Sequence, residues 1–417
     1  PTVDLVRPHR RRSEAPFMRI MLNELLFSLS KALDCVEREL LGVTSNHGKR
    51  VACVSMRLCR ALGLPDDAVF DMGCCAVLHD NALTAYMLEA GRGDLDRLEG
   101  FAAHCEKGEE NARAFPFLGD VDGVILHHHE NWNGTGFHGL AGEAIPVRAA
   151  VLRLVDNMDL RLALGTERPD MEDDMRAHLR RFREKLYAPY AVDVLLEQLG
   201  PDLTRDLADD RIDAALAESL ACRKVELSTA DMVRLCGMFA FIVDAKSRFT
   251  LRHSCGLAAK AGYMGKVYGL DPDHCDRLVI AAYLHDIGKL STPAAILEKP
   301  GPLTPDEYEI MKRHVAMTWE ILENVGGLEE IARWAACHHE KLDGSGYPRG
   351  YGAHDLSFEC RLMACCDIYQ ALTEDRPYRA GMTHDQAMRV LFPMVEQGLL
   401  DPDIVETMGR ALRGKAA

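Results

Sequence analysis

The chain has 417 residues, 47% hydrophobic and 27% charged, enough for two or three domains with buried cores. Its formal net charge of −15 excludes a general nucleic-acid binder, which needs a basic footprint, and admits an anionic substrate only in a locally positive pocket. No apolar run reaches membrane-spanning length, no secretion signal is visible, and none of the fourteen cysteines forms a Cys-x-x-Cys pair, so a cytoplasmic protein with reduced core thiols and no membrane insertion is expected.

In chain order, residues 1–17, with basic Arg10-Arg11-Arg12, read as a disordered tail. Apolar spacing predicts a helix from Met18 to Leu41, a second from His47 through Leu62, and a third over Phe70–Leu83 that carries His79-Asp80. His104 falls on the next helical stretch, His128-His129 follow, and Asp156 sits on a helix over Pro146–Leu164. Residues 170–243 read as a helical connector with charge-laced faces. The pattern then returns. His253 opens a helix, and His285-Asp286 end another whose apolar face includes Leu278, Ala281, Ala282 and Leu284. Thr304-Pro305-Asp306-Glu307 is a capping box that starts the helix carrying His314. His338-His339 precede the turn Asp343-Gly344-Ser345-Gly346-Tyr347-Pro348, and Asp367 lies on a helix over Ser357–Thr373.

The halves repeat. His47 and His253 are 206 positions apart, as are His79 and His285. His104 and His314 are 210 apart, as are His128 and His338, and Asp156 and Asp367 are 211 apart. Strands are hard to find in either half. The expected fold is all-α: two duplicated helical bundles, residues 18–169 and 244–417, joined by the connector.

Each copy offers the same side chains. In the second these are His253, His285, Asp286, His314, His338, His339 and Asp367; in the first, His47, His79, Asp80, His104, His128, His129 and Asp156. Five imidazoles and two carboxylates without a thiolate suit Fe or Mn, with Zn also possible. Seven ligands suit two divalent ions sharing one carboxylate, and a bridging water of lowered pKa would attack a phosphoryl group that the ions hold.

From Thr250-Leu251-Arg252-His253 through Leu284-His285-Asp286-Ile287-Gly288-Lys289, His314, His338-His339-Glu340-Lys341-Leu342-Asp343-Gly344-Ser345-Gly346-Tyr347-Pro348, Asp367 and Leu372-Thr373-Glu374-Asp375-Arg376-Pro377-Tyr378-Arg379, the second copy resembles an HD-GYP domain of the HD phosphohydrolase superfamily. The resemblance implies hydrolysis of cyclic di-GMP to pGpG or GMP by a metal-bridging hydroxide. It implies that His253, His285, Asp286 and Asp367 hold one ion, that His314, His338 and His339 hold the other with Asp286 bridging, and that Lys289, Arg376 and Arg379 face phosphate. Asp286 and Lys289 are thus the expected catalytic pair. A diguanylate cyclase partner docking through Gly346-Tyr347-Pro348 is also implied. Phe249 stands where some members carry a glutamate for a third ion, so two ions are expected; Gln370 stands where an aspartate is common, and Val315 where a proline is usual. The first copy resembles a degenerate member, because Leu83 replaces the lysine, Gly136-Phe137-His138 replaces Gly-Tyr-Pro, and only Glu167-Arg168-Pro169 remains of the closing motif. A metal-holding regulatory domain is expected there, and the connector could support a homodimer. The rival readings are a metal-containing cyclic-dinucleotide binding module of negligible turnover and a phosphohydrolase of another nucleotide.

Overall fold

The computed structural model describes residues 17–41, 45–83, 98–220, 224–246, 253–375 and 380–414. In chain order the chain forms β1 (Phe17–Met21), α1 (Leu22–Leu41), α2 (His47–Ala61), α3 (Asp66–Leu78), α4 (Leu98–Ala112), α5 (Val147–Leu162), α6 (Met171–Phe182), α7 (Pro189–Gln198), α8 (Pro201–Asp206) and α9 (Ile212–Ser219). It continues with β2 (Lys224–Ser228), α10 (Thr229–Asp244), α11 (His253–Val267), α12 (Pro272–Leu284), α13 (Ala294–Leu297), α14 (Pro305–Leu322), α15 (Glu329–Ala336), α16 (Phe358–Thr373), α17 (His384–Glu396) and α18 (Pro402–Ala411). The all-α expectation holds, and among the described residues no helix is long and apolar enough to cross a membrane.

One small sheet corrects the reading of the start. The helix expected from Met18 begins at Leu22, and Phe17 lies in a strand. β1 pairs antiparallel with β2, with Arg19 opposite Glu226 at its centre and their side chains 2.9 Å apart. Arg19 and Glu226 are 207 positions apart, within one of the 206 that separates the first histidines of the repeat, so β1 and α1 are the counterparts of β2 and α10. The sheet therefore joins the starts of the two repeats.

The counterpart helices cross between the halves. α1 packs on α2 and α3 of its own copy and also on α14 and the 3₁₀ turn Ile287–Ser291 of the other. Glu24 accepts the Gly326 N–H at 2.8 Å, and Gly327 (φ +94°) lies against the Arg19 carbonyl. In return, α10 packs on α11, α12 and the same turn, while its Phe241 receives Lys107 of α4 5.4 Å from its ring centroid. Helices α6 to α9 clad the first copy, α7 and α9 against α2 and α6 and α7 against α5. We propose that the second repeat starts at Lys224.

Candidate active site

Helix ends bring the second cluster together. His253 opens α11, His285 caps α12 with Asp286 next, His314 lies on α14, His338-His339 follow α15, and Asp367 lies on α16. The capping box expected at Thr304 forms, with its hydroxyl and the Glu307 carboxylate each meeting the other's backbone N–H. Gly288 allows the turn after Asp286 to touch α14, since a Cβ there would lie 1.9 Å from the His314 carbonyl oxygen. Thr318 locks the contact, donating to the His285 carbonyl at 2.9 Å and accepting the Gly288 N–H at 3.1 Å.

All seven expected ligands converge. Asp286 lies between two histidine groups, with Oδ2 at 3.0 Å from His285 Nε2 and Oδ1 at 3.3 and 3.9 Å from Nε2 of His314 and His338. Asp367 Oδ1 lies 2.9 Å from His253 Nε2 and 3.8 Å from His285 Nε2; Oδ2 lies 3.9 Å from His339 Nδ1. Backbone carbonyls of Ala282, Met311 and Ala335 accept Nδ1–H from His285, His314 and His338 at 2.6 to 2.7 Å, which aims each Nε2 lone pair inward. Those three Nε2 atoms and Asp286 Oδ1 are buried without a hydrogen-bond partner. Orphaned acceptors packed against carboxylates are costly unless a cation joins them, so these residues fit divalent metal.

The charges agree. Burial holds His338 well below its ordinary range and His339 at about 3, so both present neutral lone pairs. Burial also opposes charge on Asp286, but His285 and Lys289 outweigh it and hold the carboxyl far below its usual range. Lys289 Nζ sits 2.5 Å from Asp286 Oδ2. His339, 28% exposed and 4.9 Å from the Tyr347 ring, marks the side open to solvent. Phe249, Arg376 and Arg379 lie outside the described residues.

The first copy repeats the arrangement. His47 Nε2 and His79 Nε2 lie 3.4 and 3.7 Å from Asp156 Oδ1, and Asp80 reaches His79 at 3.5 Å, His104 at 3.4 Å and His128 at 3.8 Å. His129 stands against His104, with ring centroids 5.1 Å apart. His47 Nε2, His79 Nε2 and Asp156 Oδ2 are buried without hydrogen-bond partners. Buried Leu83 fills the position of Lys289.

A family model described as HD domain matches residues 35–177 and again 237–404. The chain belongs to the HD domain family. Both HD copies are thus accounted for. The chain is 28% identical to a 3′3′-cGAMP-specific phosphodiesterase of Vibrio cholerae over 94% of its own length and 92% of that protein. It is 38% identical to a cyclic di-GMP phosphodiesterase response regulator of Xanthomonas campestris, over 37% of this chain and 41% of that one. A crystal structure of a cyclic GMP-AMP-specific phosphodiesterase of V. cholerae superposes with TM-score 0.65 at 25% identity, covering 95% of this chain and 99% of that one.

Sequence reasoning missed the groups that hold the candidate ligands of the HD units in place. Glu374 meets His253 Nδ1 at 2.9 Å, and Gln370 steadies Glu374 through a 3.0 Å N–H bond while accepting from Lys260 at 2.6 Å. In the first HD unit Asp159 does this work, 2.6 Å from His47 Nδ1 and bonded to buried Arg50 at 2.8 Å. The signal was present: Gln370, noted only as a departure, is the counterpart of Asp159 at the spacing of 211. The loop after each histidine pair also shares one device. Buried Glu340 accepts the N–H groups of Arg349 and Tyr351, and buried Glu130 accepts those of His138 and Leu140.

Proposed function

We propose that the chain is a metal-dependent phosphodiesterase of cyclic dinucleotides and that turnover belongs to the second HD unit. The carrying observation is the Asp286 carboxylate set between His285 on one side and His314 and His338 on the other, with Lys289 against it. His253, His285 and Asp367 would hold one divalent ion, Fe or Mn, and His314, His338 and His339 a second, with Asp286 shared. Bound ions supply Lewis acidity and an activated water. The protein's own groups do the rest. Backbone carbonyls keep the imidazole lone pairs aimed inward, and Glu374 fixes His253. Lys289 is the cation free to turn from Asp286 toward a phosphoryl oxygen once metal shares the carboxylate charge. Arg376 and Arg379 would add positive charge for the second phosphate. Tyr347 stands beside His339, on the side where that imidazole meets solvent.

We propose 3′3′-cGAMP as the preferred substrate. The relative matched along nearly the whole chain carries that specificity in its name. Cyclic di-GMP is the second reading, favoured by relatives that match less than half of the chain. With Leu83 where a phosphate-facing lysine would stand, the first unit is assigned no turnover. The test offers anaerobic, Fe(II)- or Mn(II)-loaded protein each cyclic dinucleotide alone and then both together, with chromatography of the products. Preferential loss of 3′3′-cGAMP supports the first reading, preferential loss of cyclic di-GMP the second, and loss of neither overturns the phosphodiesterase.

A further inference from the structure

One difference between the two HD centres is a buried cysteine. Cys105 follows His104 on α4, and at the corresponding place, 210 positions on, Val315 follows His314. In the first unit His104, Cys105, His128 and His129 all bring a ligand atom within 4.8 Å of one another; the corresponding group in the second unit is His314, His338 and His339 alone. Cys105 is fully buried. Its Sγ lies 3.6 Å from His104 Nε2, and His104 Nε2 lies 3.5 Å from His128 Nε2.

We infer that the first HD unit carries a closed zinc site in which the Cys105 thiolate is a ligand beside His104, His128 and His129. Tetrahedral zinc, with bonds of about 2.3 Å to sulfur and about 2.05 Å to nitrogen, sets S···N and N···N separations of roughly 3.6 and 3.3 Å. The Cys105–His104 and His104–His128 separations, 3.6 and 3.5 Å, are close to these. Neighbouring residues on a helix point about 100° apart, so the shared site depends on the longer imidazole reaching back across Cys105. A thiolate also changes which metal is preferred. The second unit's nitrogen and oxygen donors suit Fe or Mn, whereas thiolate with imidazole suits Zn. Four protein ligands close a zinc site, while a catalytic one keeps a position open. Cys105 stands where the second unit has Val315, which offers no ligand atom. The thiol gives up its proton to solvent as zinc binds. The ordinary alternative is an inert core cysteine, and the inference does not depend on the proposed activity.

The test uses the full chain bearing His285→Ala, Asp286→Ala, His314→Ala and His338→Ala, which breaks both ligand groups of the second centre, loaded with one equivalent of zinc. X-ray absorption should show a sulfur neighbour at about 2.3 Å. Adding Cys105→Val should remove that sulfur and weaken zinc binding by roughly tenfold or more. Valine is the residue of the corresponding position, and Cys105→Ser serves as a second variant. With cobalt(II) in place of zinc, the near-ultraviolet thiolate-to-metal band should vanish in either variant while helical circular dichroism persists. A zinc shell of nitrogen and oxygen only, a sulfur shell that survives Cys105→Val, or a chain that retains no zinc would each overturn the inference. The parent spectrum alone decides between sulfur and none, even if a variant fails to fold.

Discussion

Glu374 shows how a site depends on groups that bind nothing themselves. It holds His253 through Nδ1 and leaves Nε2 toward Asp367. Losing such an outer carboxylate commonly costs 10–100-fold in metal affinity. Glu374→Gln should therefore weaken metal binding at the second centre by about that factor, measured by titration calorimetry, with helicity unchanged; unaltered affinity would show that His253 needs no such support. Gly288 makes a different demand. Gly288→Ala would drive a methyl into the His314 carbonyl and should cost about 1–3 kcal/mol, read as a lower Tm. The convergence of the seven candidate ligands was legible because only a few side-chain types bind metal, and fourteen such residues at repeated spacings stand out. Glu374 and Cys105 were not. Each has an ordinary reading, a surface carboxylate and a core thiol, until folding sets it against an imidazole.

At the scale of elements, helices were legible from apolar periodicity, and the capping box at Thr304 formed where its sequence placed it. The strand at Phe17–Met21 was not, because its partner lies 207 positions away and a five-residue alternation is easily absorbed into the following helix. In retrospect Met18, Ile20 and Leu22 are buried, while Arg19 between the first two faces solvent. Ile20→Ala should cost about 2–5 kcal/mol by the usual cavity penalty, visible as a fall in Tm. A second element-scale effect concerns α6. His178 lies 2.7 Å from the Tyr187 hydroxyl, which donates to Asn157 at 2.6 Å. Burial, aided by Arg161 and Arg181, lowers His178 from 6.5 to about 4. The folded state therefore resists protonation. Its stabilising contribution is complete above pH 6.5 and is lost as pH falls toward 4. Thermal melts should show a shallower acid decline over that window in His178→Gln, which keeps a hydrogen-bonding group but cannot titrate; an identical decline would remove His178 as a cause.

For the molecule as a whole, the two HD units share their edges. α1 packs on the turn that carries Lys289, and α10 reaches α4 of the first unit. Such crossing contacts favour one cooperative unit over two independent ones. Scanning calorimetry should show a single unfolding transition, and two well-separated transitions would contradict the shared packing. Duplication was legible as arithmetic on histidine positions. The joining of the two copies through a two-stranded sheet was not, since spacing fixes what repeats and leaves open how the repeats meet. The proposed division of labour between the units rests on Lys289 against Leu83, beside two clusters that share seven residues of the same types. The most direct measurement is product formation from 3′3′-cGAMP and cyclic di-GMP by the metal-loaded full chain beside Asp286→Ala and Asp80→Ala. Loss of all linear dinucleotide and mononucleotide product in Asp286→Ala, with turnover retained in Asp80→Ala, is the expected result. Turnover that survives Asp286→Ala, or that disappears only in Asp80→Ala, would contradict catalysis by the second unit.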